Sequence, residues 1–241
     1  MPEASRPSCL QESAMPRVAE AYLHALLAAD REGARQVVQA ALQSGVSVRD
    51  IYLEVFQPVQ REVGRLWLLN RVTVAMEHFC TAATQTIMTE LYPRILSARR
   101  IQKTLLAACV GPELHEIGMR MVADFFEMGG WDTYFLGSGV GADRLLAAIR
   151  FRKPDLVAIS VTMTYYVAQA KEQIGCIRRE ARNPAPAIMV GGLPFLADAE
   201  LWRSIGADLW SPDARHAVES ASAWLLGKGQ TMSGEGTGRH G

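Results

Sequence analysis

The stretch Gly111-Pro112-Glu113-Leu114-His115-Glu116-Ile117-Gly118 decides how the second half of this chain is interpreted. An apolar run from Thr104 to Val110 precedes it and predicts a buried strand, and Met119 to Met128 follows it and predicts a helix. His115 is therefore expected on a strand-to-helix loop, at the sheet edge where open α/β sheets bind ligands. Glu113 could orient the imidazole through its second ring nitrogen. Taken alone, E-x-H-x-x-G fits equally well a histidine that only decorates a loop.

Two later segments favour the functional interpretation. Ser160-Val161-Thr162 is separated from Gly118 by 41 residues and lies at the end of an apolar run that starts at Leu156. Gly191-Gly192 follows Thr162 after another 28 residues and ends the apolar run from Ala187 to Val190. Each motif thus follows a candidate strand, and a parallel sheet would gather all three along one edge.

This order and spacing resemble the cobalamin-binding domain family, whose signature reads D-x-H-x-x-G, then S-x-L, then G-G. The resemblance covers Gln102 to Leu226, with Glu113 in place of the family's Asp and Thr162 in place of its Leu. It implies that His115 is the lower cobalt ligand and that Ser160 binds the nitrogen of the cofactor's nucleotide tail. The positions that it implies for cofactor binding in this half are Glu113, His115, Glu116, Ile117, Gly118, Gly137, Ser160, Thr162, Gly191 and Gly192.

The same half of the chain alternates strand and helix patterns. Further strands are expected at Asp132–Leu136 and Asp208–Trp210, and helices at Asp143–Phe151 and Ala214–Leu226. Five strands joined by helices predict an α/β fold, a doubly wound, flavodoxin-like parallel sheet. The loop Gly137-Ser138-Gly139-Val140-Gly141 resembles the family's loop beneath the corrin. Tyr166 is expected either to bond Glu113 or simply to pack.

The first half reads as helix throughout. Asp30 and Ser47 are expected to cap the second and third helices. Pro58 is expected to kink or break the third helix, and a fourth helix is expected to end before Pro93. The predicted organisation is a disordered N-terminus (1–16), a four-helix bundle (17–97), the cobalamin-binding domain (98–228) and a disordered tail (229–241). Arg99 and Arg100 are expected in a solvated connector.

The bundle contains the pattern W-x9-E-H, formed by Trp67, Glu77 and His78. The pattern resembles the helical domain of CarH-type light-dependent repressors, which sense light with adenosylcobalamin. By that resemblance, Trp67 covers the adenosyl face of the cofactor and Glu77 and His78 reach the adenosyl group. Leu68 stands where those repressors carry a histidine, and only about sixteen residues precede the bundle, so direct DNA binding is not expected. Taken alone, Trp67 fits a bundle-core residue equally well.

The composition excludes several classes of function. The formal net charge is zero, so no basic bias favours binding to nucleic acid. No segment is apolar for long enough to suggest a membrane span, and no signal peptide is evident, so a cytoplasmic location is expected. The cysteines lack metal-type spacing, and Cys80 and Cys109 are expected as buried thiols rather than a disulfide.

These observations favour a non-enzymatic cobalamin photoreceptor that uses adenosylcobalamin and signals through a protein partner, such as a transcriptional regulator. Homo-oligomerisation stays open. The alternative is a corrinoid protein that carries methyl groups for methyltransferases. Haem binding is disfavoured because haem has no nucleotide tail, and a radical enzyme because no substrate barrel is present.

Overall fold

The computed structural model describes residues 15–96, 99–180, 185–198 and 200–234, with side chains described as far as Leu225. The chain divides into two compact units, and the division falls after Leu96. The ends that were predicted to be disordered lie mostly outside the described residues. Where they overlap, Met15 and Pro16 belong to the first helix and residues 229–234 to the last one.

The first unit is helical, and two of its helices begin after the capping side chains that the sequence predicts. Asp30 Oδ1 accepts the backbone N–H of Gly33 at 2.8 Å, and Ser47 Oγ accepts that of Asp50 at 3.1 Å, as predicted. The helices are α1 (Met15–Leu27), α2 (Arg31–Gln43), α3 (Val48–Asp50), α4 (Gln57–Leu68) and α5 (Val74–Ile95).

Pro58 does not kink or break the helix as predicted, but follows a π-helical segment. A π-helical segment, Ile51–Phe56, joins α3 to α4 without interruption, and Pro58 is the second residue of α4. Proline has no N–H to give to the carbonyl four residues earlier. The N–H of Gln57 bonds instead to the carbonyl of Tyr52, five residues back. The wider turn therefore lies directly before the missing donor.

The fourth predicted helix is longer than expected. It begins after Thr73, whose hydroxyl accepts the N–H of Met76, and it runs through Pro93 to Ile95. Residues of α1 and the π segment meet in the interior, where the ring of Phe56 lies 5.4 Å from that of Tyr22 and 5.3 Å from that of Tyr52. Packing against this interior stabilises the helices more than their propensities do.

The second unit is a five-stranded parallel sheet in the order β2-β1-β3-β4-β5, which confirms the predicted flavodoxin-like fold. The strands are β1 (Thr104–Cys109), β2 (Asp132–Gly137), β3 (Leu156–Ser160), β4 (Ala187–Gly191) and β5 (Leu209–Ser211). The helices are α6 (Ile117–Met128), α7 (Ala142–Arg152), α8 (Val167–Glu180), α9 (Leu193–Ala197), α10 (Leu201–Ser204) and α11 (Ala214–Gly234), with a 3₁₀ turn at Thr164–Tyr166.

The two faces of the sheet carry side chains of different size. One face packs β-branched residues such as Val157, Ile159 and Val190 against α7 and α8. The other face, under α6 and α11, carries alanines at the centre of β1 and β3, Ala107 and Ala158, and at the start of β4, Ala187. Since side chains alternate along a strand, Ser160 and Gly191 belong to this second face.

The connector before β1 is exposed, as predicted, but Arg100 and Ile101 also attach it to the second unit. Arg100 donates to Glu127 Oε2 at 2.6 Å and to the carbonyl of Trp131 at 2.5 Å. The N–H of Ile101 donates to the carbonyl of Gly130 at 2.9 Å. The buried carboxylate of Glu127 requires a partner, and Arg100 supplies it.

Among the helices described here, none is both long enough and apolar enough to cross a lipid bilayer. Cys80 and Cys109 are free, buried thiols, as predicted.

Candidate functional site

The carboxyl edge of the sheet gathers the three sequence motifs. The chain runs from β1 to its neighbour β2 on one side and later to β3 on the other, so the strand order reverses between β1 and β3, where open α/β sheets form a ligand crevice. In the last register of the sheet, Cys109 pairs with Ser160, Ser160 with Gly191, and Gly191 with Ser211. The loop that follows β1 carries His115.

His115 is held by Glu113, as the sequence predicted. Its Nδ1 makes a short hydrogen bond with Glu113 Oε1. The side chain of Glu113 is 1% exposed, whereas that of His115 is 41% exposed. A carboxylate only accepts hydrogen bonds, so the proton of the neutral imidazole lies on Nδ1 and the lone pair of Nε2 is free. His115 therefore presents the atom with which histidine binds metals.

The second oxygen of Glu113 fixes the loop after β3. Glu113 Oε2 accepts the backbone N–H groups of Thr162 at 3.1 Å and Met163 at 3.0 Å. These bonds take the place of the bond to Tyr166 that was one expectation. Tyr166 packs against the core under α7 and α8, which was the other expectation. One buried carboxylate thus joins the loops of β1 and β3.

Glu116 joins the loop of β1 to that of β2. Its Oε2 accepts the N–H of Ser138 at 3.0 Å, and Gly111 forms an isolated bridge with Val140. Gly137 has φ +69, and a Cβ there would lie 2.9 Å from Glu116 Oε2. The loop 137–141 is thereby fixed beside His115.

Gly191 and Gly192 have different roles. Gly192 has φ +116, and a Cβ on it would lie 1.9 Å from the carbonyl oxygen of Val161. The backbone of this chain, rather than a ligand alone, therefore requires glycine at 192. A Cβ on Gly191 would meet nothing closer than the carbonyl oxygen of Ser211 at 3.4 Å. Gly191 thus leaves space beside the sheet that the fold itself does not require.

Ser160 and Cys109 lie side by side but differ chemically. Ser160 is 8% exposed, and its hydroxyl has no partner among the residues whose side chains are described. The thiol of Cys109 lies under the loop of His115, where burial, followed by Glu116 and Glu113, raises its pKa to about 12. Cys109 is therefore a neutral thiol rather than a metal-binding thiolate at ordinary pH.

The remaining predicted positions of the second unit flank His115. Ile117 begins α6 and is half-buried, and Gly118 is exposed with open space where a Cβ would stand. Sequence reasoning missed the backbone donors of Met163 and Ser138. Every residue except proline carries such a donor, so no residue pattern marks them.

The pattern W-x9-E-H belongs to the helical unit. Trp67 is half-buried near the end of α4, and Glu77 and His78 lie in the first turns of α5. Glu77 Oε2 contacts His78 Nδ1 at 2.6 Å, which again leaves Nε2 of the imidazole free. Glu77 Oε1 accepts from the hydroxyl of Thr81 at 3.0 Å.

A chain of polar contacts continues from Thr81 into the bundle. The hydroxyl of Thr81 lies 3.2 Å from Gln60 Oε1, and Gln60 Nε2 donates to Thr84 Oγ1 at 2.7 Å. Thr84 Oγ1 lies 2.9 Å from the hydroxyl of Tyr22, which is fully buried. Glu77 is therefore held from inside the bundle.

Comparison with known proteins assigns both units. Residues 103–221 match the profile of the B12 binding domain, and residues 18–92 match a second profile that is also described as a B12 binding domain. The solved monomethylamine corrinoid protein of Methanosarcina barkeri superposes with a TM-score of 0.76 at 20% identity, over 86% of this chain and 97% of that one.

The curated relatives match across both units. Trimethylamine corrinoid protein 2 of Methanosarcina mazei is 28% identical over 81% of this chain and 90% of its own length. The trimethylamine corrinoid protein of Methanosarcina barkeri is 27% identical over 81% and 91%, respectively. These relatives are corrinoid proteins named for a methylated amine and not light-dependent repressors. The photoreceptor interpretation of W-x9-E-H, and with it the light-sensing and transcriptional role, is therefore wrong.

Cobalamin binding, in contrast, agrees with the residue pattern, with the edge of the sheet that carries it and with both profile matches. The chain therefore belongs to the B12-binding domain family.

Proposed function

We propose that this chain is a corrinoid methyl carrier that serves methyltransferase partners. The observation that carries the proposal is the similarity to trimethylamine corrinoid proteins over the helical unit and the sheet unit together. A shared sheet unit alone would indicate only cobalamin binding. When bound, the corrinoid supplies a cobalt atom that accepts a methyl group from one partner and gives it to another.

The residues at the sheet edge fit such a ligand. The lone pair of His115 Nε2 is a suitable donor to cobalt, and the hydroxyl of Ser160, which has no partner among the described side chains, can bond a nitrogen of the nucleotide tail. Gly191 has no side chain on the face under α6 and α11, and a Cβ there would meet nothing closer than the carbonyl oxygen of Ser211 at 3.4 Å. The tail would lie along this face.

The residues of the chain have distinct roles in this proposal. His115 would hold the cobalt, and Glu113 keeps the imidazole in the tautomer that can do so. Ser160 and Gly191 accept the tail, while Thr162, Gly192, Glu116 and Gly137 fix the loops. Trp67, Glu77 and His78 are proposed as the ligand-binding residues of the helical unit.

Labelled methyl donors test the proposal. The full chain is loaded with hydroxocobalamin, reduced, and incubated with a cell extract of its source and with ¹⁴C-labelled methylamines or methanol. We expect label on the protein in the complete mixture, and its later release to a thiol acceptor. The matched control is His115→Ala loaded in the same way. A cobalamin-loaded protein that takes label from no methylated amine or alcohol contradicts methyl carriage.

A further inference from the structure

Thr81 lies at a branch point of the polar chain inside the helical unit. Its hydroxyl oxygen is 3.0 Å from Glu77 Oε1, one turn earlier in α5, and 3.2 Å from Gln60 Oε1 on α4. A hydroxyl has one hydrogen, whereas a carboxylate oxygen and an amide oxygen only accept. Thr81 can therefore satisfy only one of these two oxygens at a time.

The amide of Gln60 is oriented from inside the bundle. Its Nε2 donates to Thr84 Oγ1 at 2.7 Å and lies 3.4 Å from the carbonyl oxygen of Cys80. Thr84 gives its own hydrogen to that carbonyl at 2.9 Å, and Tyr22, whose pKa is raised by burial, keeps its hydrogen and donates it to Thr84. An amide oxygen turned inward would thus face acceptors only, so Gln60 Oε1 lies on the side of Thr81.

Glu77 is mostly covered, although the imidazole that it holds is not. The side chain of Glu77 is 20% exposed and that of His78 is 72% exposed. Glu77 Oε2 takes Nδ1 of His78, and Oε1 takes the hydroxyl of Thr81. A hydrogen bond to a carboxylate is stronger than one to a neutral amide, so the hydrogen of Thr81 goes mainly to Glu77. Without it, this covered oxygen would turn towards water and Glu77 would release Nδ1.

We propose that Thr81 is a positioning residue that holds Glu77 against His78, and that Gln60 competes with Glu77 for its hydrogen. While Glu77 is held, the hydrogen of the neutral imidazole stays on Nδ1. The Nε2 lone pair of His78 is then offered to hydrogen-bond donors of the ligand, such as amide N–H groups or bound water. Ligand binding by Glu77 and His78 rests on the proposed function, whereas the role of Thr81 in the ligand-free chain does not.

The ¹⁵N shifts of His78 in the ligand-free, full-length chain at alkaline pH test the positioning. Thr81→Val removes the hydroxyl, and we expect the Nδ1–H form to give way to the tautomer mixture of a solvated imidazole. Thr81→Ser keeps the hydroxyl and should restore the wild-type shifts. Gln60→Leu removes the competing acceptor and should raise the Nδ1–H fraction, in the opposite direction to Thr81→Val. The control is Thr86→Val, at an exposed threonine of α5 that bonds to the carbonyl of Ala82, and it should change nothing.

Titration with hydroxocobalamin tests the consequence for binding. We expect His78→Ala to lose about 3–10-fold in affinity, the effect of one hydrogen bond, and Thr81→Val to lose no more than that. The double variant should bind as His78→Ala does, because Thr81 acts through His78. Thr81→Ser and Thr86→Val should keep the wild-type affinity.

Several outcomes would overturn the inference. Wild-type shifts of His78 in Thr81→Val would show that the hydroxyl does not hold Glu77, and a shift of Gln60→Leu in the same direction as Thr81→Val would exclude the competition. Unchanged affinity in His78→Ala, or additive losses in the double variant, would exclude the role in binding. Thermal melting checks the folding of each variant, with Thr81→Ala as a second substitution. Since no measurement here involves methyl transfer, the labelling experiment can succeed or fail independently.

Discussion

Glu113 controls which nitrogen of His115 can bind a metal. In Glu113→Gln, the side-chain oxygen can still accept the N–H groups of Thr162 and Met163, but an amide NH₂ then faces Nδ1 of His115. The imidazole would have to move its proton to Nε2 to accept that donor, and a protonated Nε2 cannot bind cobalt. We expect cobalamin affinity to fall about 10–100-fold, with the absorption spectrum of a cofactor lacking the histidine ligand.

The controls separate tautomer from folding. His115→Ala should give the same spectrum, while Glu113→Ala should also lower the free energy of unfolding by about 2 kcal/mol, because two N–H groups lose their acceptor. The ¹⁵N shifts of His115 in the ligand-free protein report the tautomer directly. A Glu113→Gln protein with the wild-type spectrum and affinity would show that Glu113 does not set the tautomer.

Substitution by alanine should change the stability of the protein at Gly192 but hardly at Gly191. Gly192→Ala introduces a Cβ 1.9 Å from the carbonyl oxygen of Val161 at a positive φ, so the free energy of unfolding should fall by more than ~1 kcal/mol. Gly191→Ala meets only Ser211 at 3.4 Å and should fold with near wild-type stability. Urea denaturation of both variants without ligand tests this, and equal losses would count against the difference.

Cys109 should weaken the fold at alkaline pH. Its folded-state pKa is raised to about 12 by burial, followed by Glu116 and Glu113, above the ordinary value of 9.0. Because the pKa of Cys109 is higher in the folded state, the contribution of its neutral thiol to the free energy of unfolding is fully present below pH ~9. This contribution is lost as the pH rises towards 12. Cys109→Ala should show a shallower fall in the free energy of unfolding across that interval. Parallel curves for the two proteins would contradict the assignment.

At the residue scale, the sequence was sufficient to predict the position of residues that follow directly after a strand. The spacing of His115, Ser160 and Gly191 placed them correctly at one sheet edge, because strand ends meet there whatever lies between them. The partners of Glu113 were not predictable, since they are backbone donors of the loop after β3. The clash that explains Gly192 arises from two loops distant in sequence.

Among the elements, the helical unit depends on a buried polar chain. Thr84→Val removes the partner of Tyr22 and of Gln60 Nε2, and a buried hydroxyl without a partner costs about 1–3 kcal/mol. Thr84→Ser keeps the hydroxyl and should lose far less. Thr86→Val is the matched control, since Thr86 is exposed and bonds only to the carbonyl of Ala82. Thermal unfolding measures all three, and equal losses would show that the polar chain contributes nothing.

Element boundaries followed the sequence where local chemistry decides them. Asp30 and Ser47 cap helices as predicted, and strands appear where apolar runs predicted them. Proline was a poor predictor of where a helix is kinked or ends. Pro58 displaced hydrogen bonds into a π-helical segment, and Pro93 lies within α5, because packing against the bundle interior outweighs one missing bond. Such compensation depends on tertiary contacts that a local pattern does not contain.

For the whole molecule, the attachment of the connector sets where the second unit begins. A fragment that starts at Arg99 keeps the bonds of Arg100 and Ile101, whereas one that starts at Lys103 leaves Glu127 without its ionic partner. We expect both to fold, and the shorter one to be less stable by about 2 kcal/mol, several degrees in Tm. Calorimetry of the two fragments measures the difference, and equal Tm values would show that the connector does not stabilise the sheet unit.

The functional interpretation failed at the same scale. W-x9-E-H predicts, by resemblance, an adenosyl-binding light sensor, yet the chain is similar to trimethylamine corrinoid proteins along both units. A tryptophan and an acid–histidine pair describe the chemistry of a helix surface and do not determine which upper ligand it serves. The sheet motifs were more informative, because the unit that carries them matches the B12 binding domain to which their spacing points.

The hydrogen bonds that Glu113 and Glu116 accept affect how quickly backbone amide protons of the site exchange with solvent. Thr162, Met163 and Ser138 lie outside every strand and helix, where amide protons ordinarily exchange quickly with D₂O. Their N–H groups bond to carboxylates that the fold holds in place. Exchange at Thr162 and Met163 then requires the departure of one shared acceptor, so their two rates should rise and fall together, and deuterium labelling would record each opening of the loop beside His115.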